Sequence, residues 1–474
     1  MNRSTWSLLK RDFDAWAYNI YWPQQKALLP LLGFASLAVE DIKFAYNAWC
    51  LLRLAMFYGT EHPKVLSSLV NTTPSMDIAY GGNRLFYMHA KVEVPLSRSK
   101  TRVALTPCHP RAQPLQNFPW RKVVCEAHER GSRGAEDAGG VEIVLGMENG
   151  LSNSVAEDCD YCLYIPQYGS IGSLSMLSAM AIAVHSAHSA HYTATSDACD
   201  SLPQPSKGHM PLSNGDVKGL QGKSMPHEKD LIHLNNKEIA RILEARRLSY
   251  RLQLSVVVYN EFGDRNIGAI MRNANVYNCE QMVVLHRRKF SRRGAVGTQN
   301  VLWTSFHASI DDADCQLCLR GNVIWLLHQY YPYLKIHGDH MNDTAATFIR
   351  PENPSLQQWV GCDHRISEGH PIMNGEGGGG DGAGAHLIGT EVYLDDLDSL
   401  RAAVEGVVQD GYRGIMLAIP EEGASPHPDI VKCAQRIVYL VHPSRLARGV
   451  QRGLNGALSS AVALERLRTA IDGL

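Results

Sequence analysis

The feature that most constrains this chain is an internal repeat. Residues 47–66 align without a gap on residues 266–285, and seven of the aligned pairs are identical. Most of the other aligned pairs are apolar on both sides. The identical pairs are Asn47/Asn266, Arg53/Arg272, Ala55/Ala274, Tyr58/Tyr277, Glu61/Glu280, Val65/Val284 and Leu66/Leu285. A match of this kind indicates that one supersecondary unit occurs twice.

Three further blocks match in the same order in both halves: 123–129 with 323–329, 141–152 with 414–425, and 172–185 with 452–465. We therefore interpret the chain as two copies of one domain. The predicted divisions are an N-terminal extension at 1–27, a first domain at 28–192, a flexible linker at 193–235 and a second domain at 236–474. The linker prediction rests on the Ser-, Gly-, Pro- and His-rich composition that begins near Ser189. A Gly-rich segment near 336–390 is predicted to be a surface insertion.

Within each copy, apolar strand-like runs alternate with amphipathic patterns. Residues 254–259, 267–277 and 281–285 follow one another in this way. This alternation predicts an α/β fold with a mainly parallel sheet. Segments 123–129 and 323–329 are interpreted as matching strands, and the Ala- and Leu-rich ends of both copies as helices.

The composition excludes several classes of protein. The formal charge of −1 implies that an anionic partner would be met by local basic patches. The chain has no apolar run of membrane-spanning length, so no membrane partner is predicted. Two Cys-x-x-Cys pairs occur, at Cys159/Cys162 and Cys315/Cys318, and a zinc site could use all four sulfurs.

The surroundings of those pairs nevertheless argue against a metal. The first pair runs into a strand-like segment and the second lies in a helical pattern. His185, His188 and His191 are spaced so that one helix face does not carry all three. We therefore predict no metal. The basic, acid-free start of the chain indicates a mitochondrial location, with the cytoplasm as the alternative.

Three segments resemble the motifs of a known family. NIGAIMRNA begins at Asn266, LGMENGLS begins at Leu145 and IPQYGSIGSLS begins at Ile165. These resemble motifs one, two and three of the SpoU/TrmH branch of the SPOUT, or alpha/beta-knot, superfamily of RNA 2'-O-ribose methyltransferases. The resemblance implies two tandem alpha/beta-knot domains, each with a deep trefoil knot, which form a pseudo-dimer within one chain.

The resemblance also implies S-adenosylmethionine as cofactor and a set of site residues. The cofactor-binding candidates are Leu145, Gly146, Ile165, Pro166, Ser173, Leu174, Leu440, Leu454 and Asn455. The catalytic candidates are Asn266, Arg272, Asn47, Arg53, Glu148 and Glu422, with Glu421 as an alternative to Glu422. A guanidinium stays protonated in proteins, so we interpret Arg272 as a phosphate ligand that stabilises the developing alkoxide.

The two copies depart from the family pattern in different places. Trp49 and Cys50 replace the small residues of motif one in the first copy, and Ser175 replaces an Asn of motif three. In the second copy, Ile419 and Pro420 stand where motif two has its glycine. These departures suggest a division of labour, in which the first copy has the better cofactor pocket and the second the better RNA-facing motif.

Two basic runs are candidate RNA-binding surfaces. The first is Arg287, Arg288, Lys289, Arg292 and Arg293, and the second includes Arg246 and Arg247. Clustered cations at a ligand-facing loop bind phosphates, and Phe290 among them could stack on a base. The alternative is a solvated loop.

These observations together predict an S-adenosylmethionine-dependent RNA 2'-O-methyltransferase that acts on structured RNA. Ribosomal RNA is favoured over transfer RNA, with a role in ribosome maturation. The alternative is an inactive SPOUT-derived RNA-binding assembly factor, whose partners would be ribosomal assembly proteins or another SPOUT protein. A base methyltransferase of the same superfamily is a third interpretation.

Overall fold

The structure is a computed structural model of the 474-residue chain. It describes residues 34–40, 45–60, 63–65, 91–92, 100–132, 140–146, 150–170, 174–196, 231, 234–260, 266–291, 294–328, 333–335, 347–349, 391–421, 426–442, 445–446 and 453–473. The chain divides into two compact units. The first is Met1–Leu243 with Asn275–Asn278 and Arg445–Ala447, and the second is Glu244–Ala274, Cys279–Ser444 and Arg448–Leu474.

The first unit contains a seven-stranded parallel sheet in the order β3-β2-β1-β6-β4-β7-β5. Its strands are β1 Ala35–Val39, β2 Lys64–Val65, β3 Lys91–Val92, β4 Thr101–Leu105, β5 Ala112–Pro114, β6 Val141–Leu145 and β7 Tyr161–Tyr164. Its helices are α1 Ala45–Tyr58, α2 Trp120–Ser132, α3 Asn153–Glu157 and α4 Met176–Ser196. Every residue of β1, β4 and β6 is buried, as expected for a parallel sheet that is covered on both faces.

The second unit contains a seven-stranded parallel sheet in the order β10-β9-β8-β15-β11-β16-β14. Its strands are β8 Gln253–Asn260, β9 Gln281–His286, β10 Trp303–His307, β11 Asn322–Leu327, β14 Glu391–Tyr393, β15 Gly414–Ile419 and β16 Arg436–Tyr439. Its helices are α6 Ile267–Val276, α7 Ala313–Leu319, α8 Leu397–Gln409, α9 Pro428–Cys433 and α10 Gly456–Asp472. Helix α5, Asn236–Arg247, precedes β8.

The two sheets have the same strand order. A separate antiparallel pair, β12 Tyr333–Lys335 and β13 Thr347–Ile349, comes between β11 and β14 in the chain. When this pair is left out and the strands of each sheet are counted in chain order, both sheets read third, second, first, sixth, fourth, seventh, fifth. The predicted α/β class with parallel sheets is confirmed.

One predicted correspondence between the halves was wrong. Residues 123–129 are not a strand but lie inside α2, and the counterpart of β11 in the sheet order is β4. The buried positions of α2 include Trp120, Val123, Val124 and Ala127, a spacing that follows one face of a helix. The apolar run was too short to separate a strand from a helix face by inspection.

The second correction concerns the linker. Helix α4 continues to Ser196, so residues 189–196 are helical although their composition suggested a flexible segment. Rings hold this last part of the helix, because Phe34 stacks on His191 with centroids 5.4 Å apart and meets His188 edge-on at 5.4 Å. The Gly-rich stretch 375–384 lies outside the described residues.

Two general features follow from the described part of the chain. None of the helices there combines the length and the apolar character that crossing a bilayer requires. Among those same residues, no group of three or more His, Cys, Asp or Glu side chains is placed to hold a metal ion.

Candidate functional site at the carboxyl edges of the sheets

The three motif segments of the second unit meet at the carboxyl edge of its sheet. Gly456 begins α10, and a Cβ atom added there would lie 3.3 Å from Ile270 Cδ1, 3.6 Å from Asn266 Cβ and 3.7 Å from Ile419 Cγ2. Asn266 precedes α6, and Ile419 ends β15. Segments far apart in sequence are therefore in van der Waals contact, and a glycine at 456 permits the close approach.

Helix α6 is held against α10 by a residue that sequence reasoning missed. The side-chain amide of Asn273 donates to the carbonyl of Ala457 at 2.7 Å and to Ser460 Oγ at 2.9 Å. Asn273 is buried, whereas the neighbouring Arg272 is half-buried. The available signal was an amide in a mostly apolar helix, since buried amides need hydrogen-bond partners.

The other motif residues of this unit are largely covered. Asn266 is buried, and Leu440 and Leu454 are each 1% exposed. Asn455 caps α10, because its Oδ1 accepts from the amide of Leu458 at 2.9 Å. Glu421 follows β15 and is buried, while Glu422 lies outside the described residues.

Three aromatic rings stack at the same edge of the second sheet. Tyr259 and His427 have centroids 3.9 Å apart and planes inclined by 10°. His286 stacks on Tyr259 at 5.8 Å and 19°. A cleft beside them, lined by Tyr259, Pro420, Glu421 and His427, encloses about 20 Å³. That space holds a water molecule and no nucleoside, so a base would have to lie outside this cleft.

A basic loop follows His286, one of the stacked residues, in the chain. Arg287, Arg288 and Lys289 come directly after β9 and are exposed. The Arg288 guanidinium carbon lies 6.0 Å from the centroid of Phe306, and Phe290 stacks on Phe306 at 6.2 Å. These contacts place cations beside aromatic rings in this loop. Arg292 and Arg293 lie outside the described residues.

The second basic run is less accessible than the first. Arg246 and Arg247 end α5 and are half-buried. Burial lowers the pKa of the Arg247 guanidinium, although Glu280 and Glu244 oppose the shift. Since a partly buried cation presents less charge to an RNA backbone, the loop after β9 is the stronger phosphate-binding candidate.

In the first unit, motif two lies at the end of β6. Leu145 and Gly146 are buried there. A Cβ at Gly146 would lie 2.2 Å from the backbone of Gly150 and Leu151, so only glycine fits. This close approach is to the chain's own backbone. Glu148 lies outside the described residues.

Motif three of the first unit retains some accessible surface. Ile165 is 7% exposed, while Pro166 and Leu174 are half-buried. Ser175 caps α4, because its Oγ accepts from the amide of Ser178 at 3.1 Å. Serine and asparagine are both strong helix caps, so Ser175 performs the capping that Asn455 performs in the second unit. Ser173 lies outside the described residues.

The motif-one residues of the first unit lie on α1. Asn47 and Arg53 are both half-buried. The side-chain amide of Asn47 is 3.5 Å from Met176 Sδ at the start of α4. Helices α1 and α4 therefore meet near the start of α4, as α6 and α10 meet near the start of α10.

Sequence reasoning also missed Glu40, which follows β1. Its carboxylate accepts from the amide of Ser152 at 2.9 Å, and its own amide donates to the carbonyl of Leu145 at 2.8 Å. Glu40 thus ties the chain before and after the motif-two loop to the end of β1. An acid directly after a buried strand was the only local signal.

The first cysteine of each Cys-x-x-Cys pair is a buried thiol. Burial raises the pKa of the Cys159 thiol and of the Cys315 thiol to about 12, with the neighbouring cysteine of each pair adding to the shift. Such thiols are protonated at neutral pH, unlike the thiolates that act as nucleophiles.

No family model matches this chain, and no curated protein matches it. Solved structures do resemble it. A probable methyltransferase from Bordetella pertussis Tohama I is 12% identical with a TM-score of 0.26, and the match covers 47% of this chain and 97% of that one. A SpoU methyltransferase from Streptomyces viridochromogenes is 15% identical with a TM-score of 0.26, over 48% of this chain and 64% of that one. A TrmH/SpoU tRNA modifying enzyme from A. aeolicus is 10% identical with a TM-score of 0.28, over 51% of this chain and 86% of that one.

Proposed function

We propose that the chain is an S-adenosylmethionine-dependent RNA methyltransferase that modifies a ribose 2'-hydroxyl. The observation that carries this proposal is the contact of Asn266, Ile419 and Gly456 at the carboxyl edge of a parallel sheet. These residues belong to three separate motif segments. Ligands of open α/β sheets bind outside the carboxyl ends of the strands.

The chemistry requires alignment more than acid or base strength. S-adenosylmethionine would supply a methyl group on a positively charged sulfur. In the transfer, the ribose hydroxyl oxygen bonds to the methyl carbon in line with the methyl–sulfur bond, that bond breaks to leave a neutral thioether, and the hydroxyl proton is released to water. The half-buried Arg272 remains protonated, and its role in the proposal is to stabilise the negative charge that develops on that oxygen. Asn266, at the start of the same helix, positions it. Arg53, Asn47, Glu148 and Glu422 are assigned supporting roles on the motif match.

The first unit suits the cofactor better than the second. Pro166, which follows the buried Ile165, and Leu174 present partly accessible apolar surface, which the flat face of an adenine requires. Leu440 and Leu454, the corresponding apolar residues of the second unit, are almost fully covered. The proposal therefore assigns the cofactor to the first unit and RNA contact to the second.

Calorimetric titration with S-adenosylmethionine tests that assignment. Ile165→Ala and Leu440→Ala form a matched pair, because both shorten a buried aliphatic side chain directly after the seventh strand of its sheet. We expect Ile165→Ala to weaken cofactor binding about tenfold or more, and Leu440→Ala to leave it unchanged. Equal weakening by both variants contradicts the division of labour.

Transfer of a labelled methyl group to RNA tests the activity. Arg272→Ala and Arg53→Ala are matched by the internal repeat, and both arginines are half-buried. Removing a group that stabilises transition-state charge costs on the order of 100-fold in rate, so Arg272→Ala should lose most of the transfer while Arg53→Ala retains more. RNA binding by the wild-type chain without any transfer would support the RNA-binding assembly factor in its place.

We also propose that the chain arose by tandem duplication, that each copy contains a trefoil knot and that the two copies pair within one chain. The proposed substrate is ribosomal RNA, with a role in ribosome maturation and a mitochondrial location. The basic start that motivates the location lies among residues 1–33, outside the described residues.

A further inference from the structure

The basic loop after β9 is built into the fold by one buried side chain. Asn260 ends β8 and is fully buried. Its side-chain amide donates to the carbonyl of Arg287 at 2.6 Å and to that of Lys289 at 3.4 Å. The amide of Arg287 donates in turn to the carbonyl of Asn260 at 3.2 Å. The loop therefore presents its cations from an anchored backbone, which distinguishes it from a solvated charged run.

The residue that starts this loop has an uncommon backbone conformation. His286 has a φ of 74°, in the left-handed region that non-glycine residues rarely adopt. Such conformations are strained for residues other than glycine and cluster at binding sites. His286 is exposed, and its ring continues the stack of Tyr259 and His427. The stack thus has an accessible end beside three exposed cations.

We propose that this ledge, formed by His286, Tyr259 and His427 with Arg287, Arg288 and Lys289, binds an unpaired nucleotide of the RNA. The base stacks on the His286 ring, and the cations bind the phosphates on either side of it. Bases stack on aromatic and histidine rings without regard to sequence, but a base inside an A-form duplex does not expose its face. The ledge therefore selects loops and bulges over paired RNA. This inference rests on the proposed function for its choice of RNA as ligand.

Substitutions at His286 separate the ring from the backbone conformation. His286→Asn removes the ring but keeps a residue that tolerates a positive φ, whereas His286→Phe keeps a ring. Binding of the full chain is measured by fluorescence anisotropy with a labelled hairpin RNA whose loop consists of unpaired adenosines. A second hairpin has the same loop with abasic riboses.

The wild-type chain and His286→Phe should bind the adenosine loop about tenfold or more tighter than the abasic loop. His286→Asn should bind both loops with the affinity that the wild-type chain has for the abasic loop. Equal binding of both loops by the wild-type chain, or a preference that survives in His286→Asn, overturns the ledge. If the wild-type chain binds a blunt duplex of the same length as tightly as the adenosine loop, the selectivity for unpaired nucleotides is overturned.

The cations are tested by salt dependence. Replacing Arg287, Arg288 and Lys289 together by alanine should reduce the slope of log K against log salt by about 2, since each phosphate contact of a single strand contributes about 0.7. Arg320→Ala is the control, because Arg320 is also exposed but precedes β11 at the amino edge of the same sheet. An unchanged slope in the triple variant, or an equal loss in the control, overturns the phosphate role.

The two proposals fail in distinguishable ways. Methyl transfer without any difference between adenosine and abasic loops overturns the ledge and leaves the proposed function standing. Base-dependent binding without methyl transfer overturns the proposed function and leaves the ledge standing.

Discussion

The first strand of each sheet ends in a contact with the helix that follows motif two, and the two contacts differ in kind. In the first unit, the Glu40 carboxylate accepts from the amide of Ser152, the residue directly before α3. In the second unit, the Tyr259 ring stacks on His427, which caps α9. Glu40 and Tyr259 correspond when the offset of the gap-free repeat is extended to the residues before Asn47 and Asn266. The same junction is therefore held by a hydrogen bond in one sheet and by a ring stack in the other.

This difference has a consequence for ligands. A carboxylate that bonds to a backbone amide satisfies the chain's own polar group, while a ring stack adds flat aromatic surface at the edge of the sheet. The residues that follow β2 in the first unit and those from the end of β9 onward in the second also differ in chemical character. His286, Arg287, Arg288 and Lys289 align on Ser67, Ser68, Leu69 and Val70. The second unit therefore has a histidine and three cations where the sequence of the first unit has two serines and two aliphatic residues.

The cores of the two sheets also differ at one set of equivalent positions. In the first sheet, Arg102 Nε lies 3.3 Å from Glu142 Oε2, and both side chains are buried. Ser36 Oγ donates to Glu142 Oε1 at 3.4 Å. When the offset of the gap-free repeat is extended back to Ser36 and Ser255, strand pairing puts Ile324 and Met416 at the positions of this ion pair. One sheet therefore contains a buried ion pair where the other has apolar packing.

The largest expected effect comes from breaking that ion pair. Glu142→Met leaves Arg102 buried beside an apolar side chain, which should destabilise the first unit by about 3–5 kcal/mol. The double variant Arg102→Ile with Glu142→Met copies the second sheet and should be neutral or stabilising by about 1–4 kcal/mol. Hydrogen exchange of the β4 and β6 amides measures both effects. A double variant as unstable as the single one would show that the two cores are not interchangeable.

A pH effect of intermediate size is expected in the first unit. Burial lowers the pKa of His188 to about 3 from its ordinary 6.5, despite the hydrogen bond that its Nε2 donates to the carbonyl of Arg445 at 3.1 Å. The unfolded chain binds the proton more tightly, so the stabilising contribution is full above about pH 6.5 and is lost as the pH falls towards 3. The loss is on the order of a few kcal/mol.

Hydrogen exchange of the β6 amides across this pH range measures the effect. His188→Phe should flatten the dependence even if it lowers stability at every pH. Alignment of the final helices puts Arg468 at the position of His188, and this buried guanidinium lies 3.9 Å from the Tyr250 ring. The second unit has no histidine at this position, so the β15 amides should respond far less to acid. An equal response in both sheets would rule out His188 as the source.

The smallest effect concerns the caps of the final helices. Ser175→Ala and Asn455→Ala should each cost about 1 kcal/mol, because each removes the acceptor for an amide in the first turn of its helix. Exchange of the amides of Ser178 and Leu458 measures the local loss. A much larger loss at Asn455 alone would show that its buried side chain stabilises the helix start by more than the cap hydrogen bond.

Local patterns were enough to predict several elements. The alternation around 254–285 predicted β8, α6 and β9, and the Ala- and Leu-rich segments predicted α4 and α10. The prediction failed at α2, where a short apolar run fits either a strand or a helix face, and at the end of α4, where rings distant in sequence hold the helix. The contacts of Asn273, Asn260 and Glu40 were missed because each partner lies on another element of the fold.

The sequence by itself determined that one pattern of strands and helices occurs twice, since helix and strand periodicity and the repeat are properties of neighbouring residues. Only the tertiary structure decided which residues from distant parts of the chain are in contact. The register of β4 and β6 brings Arg102 against Glu142. The Tyr259 ring likewise contacts His427, a residue that lies far away in the chain. The reason is that a parallel sheet joins strands distant in the chain, so its edge is assembled from residues whose proximity no local pattern encodes.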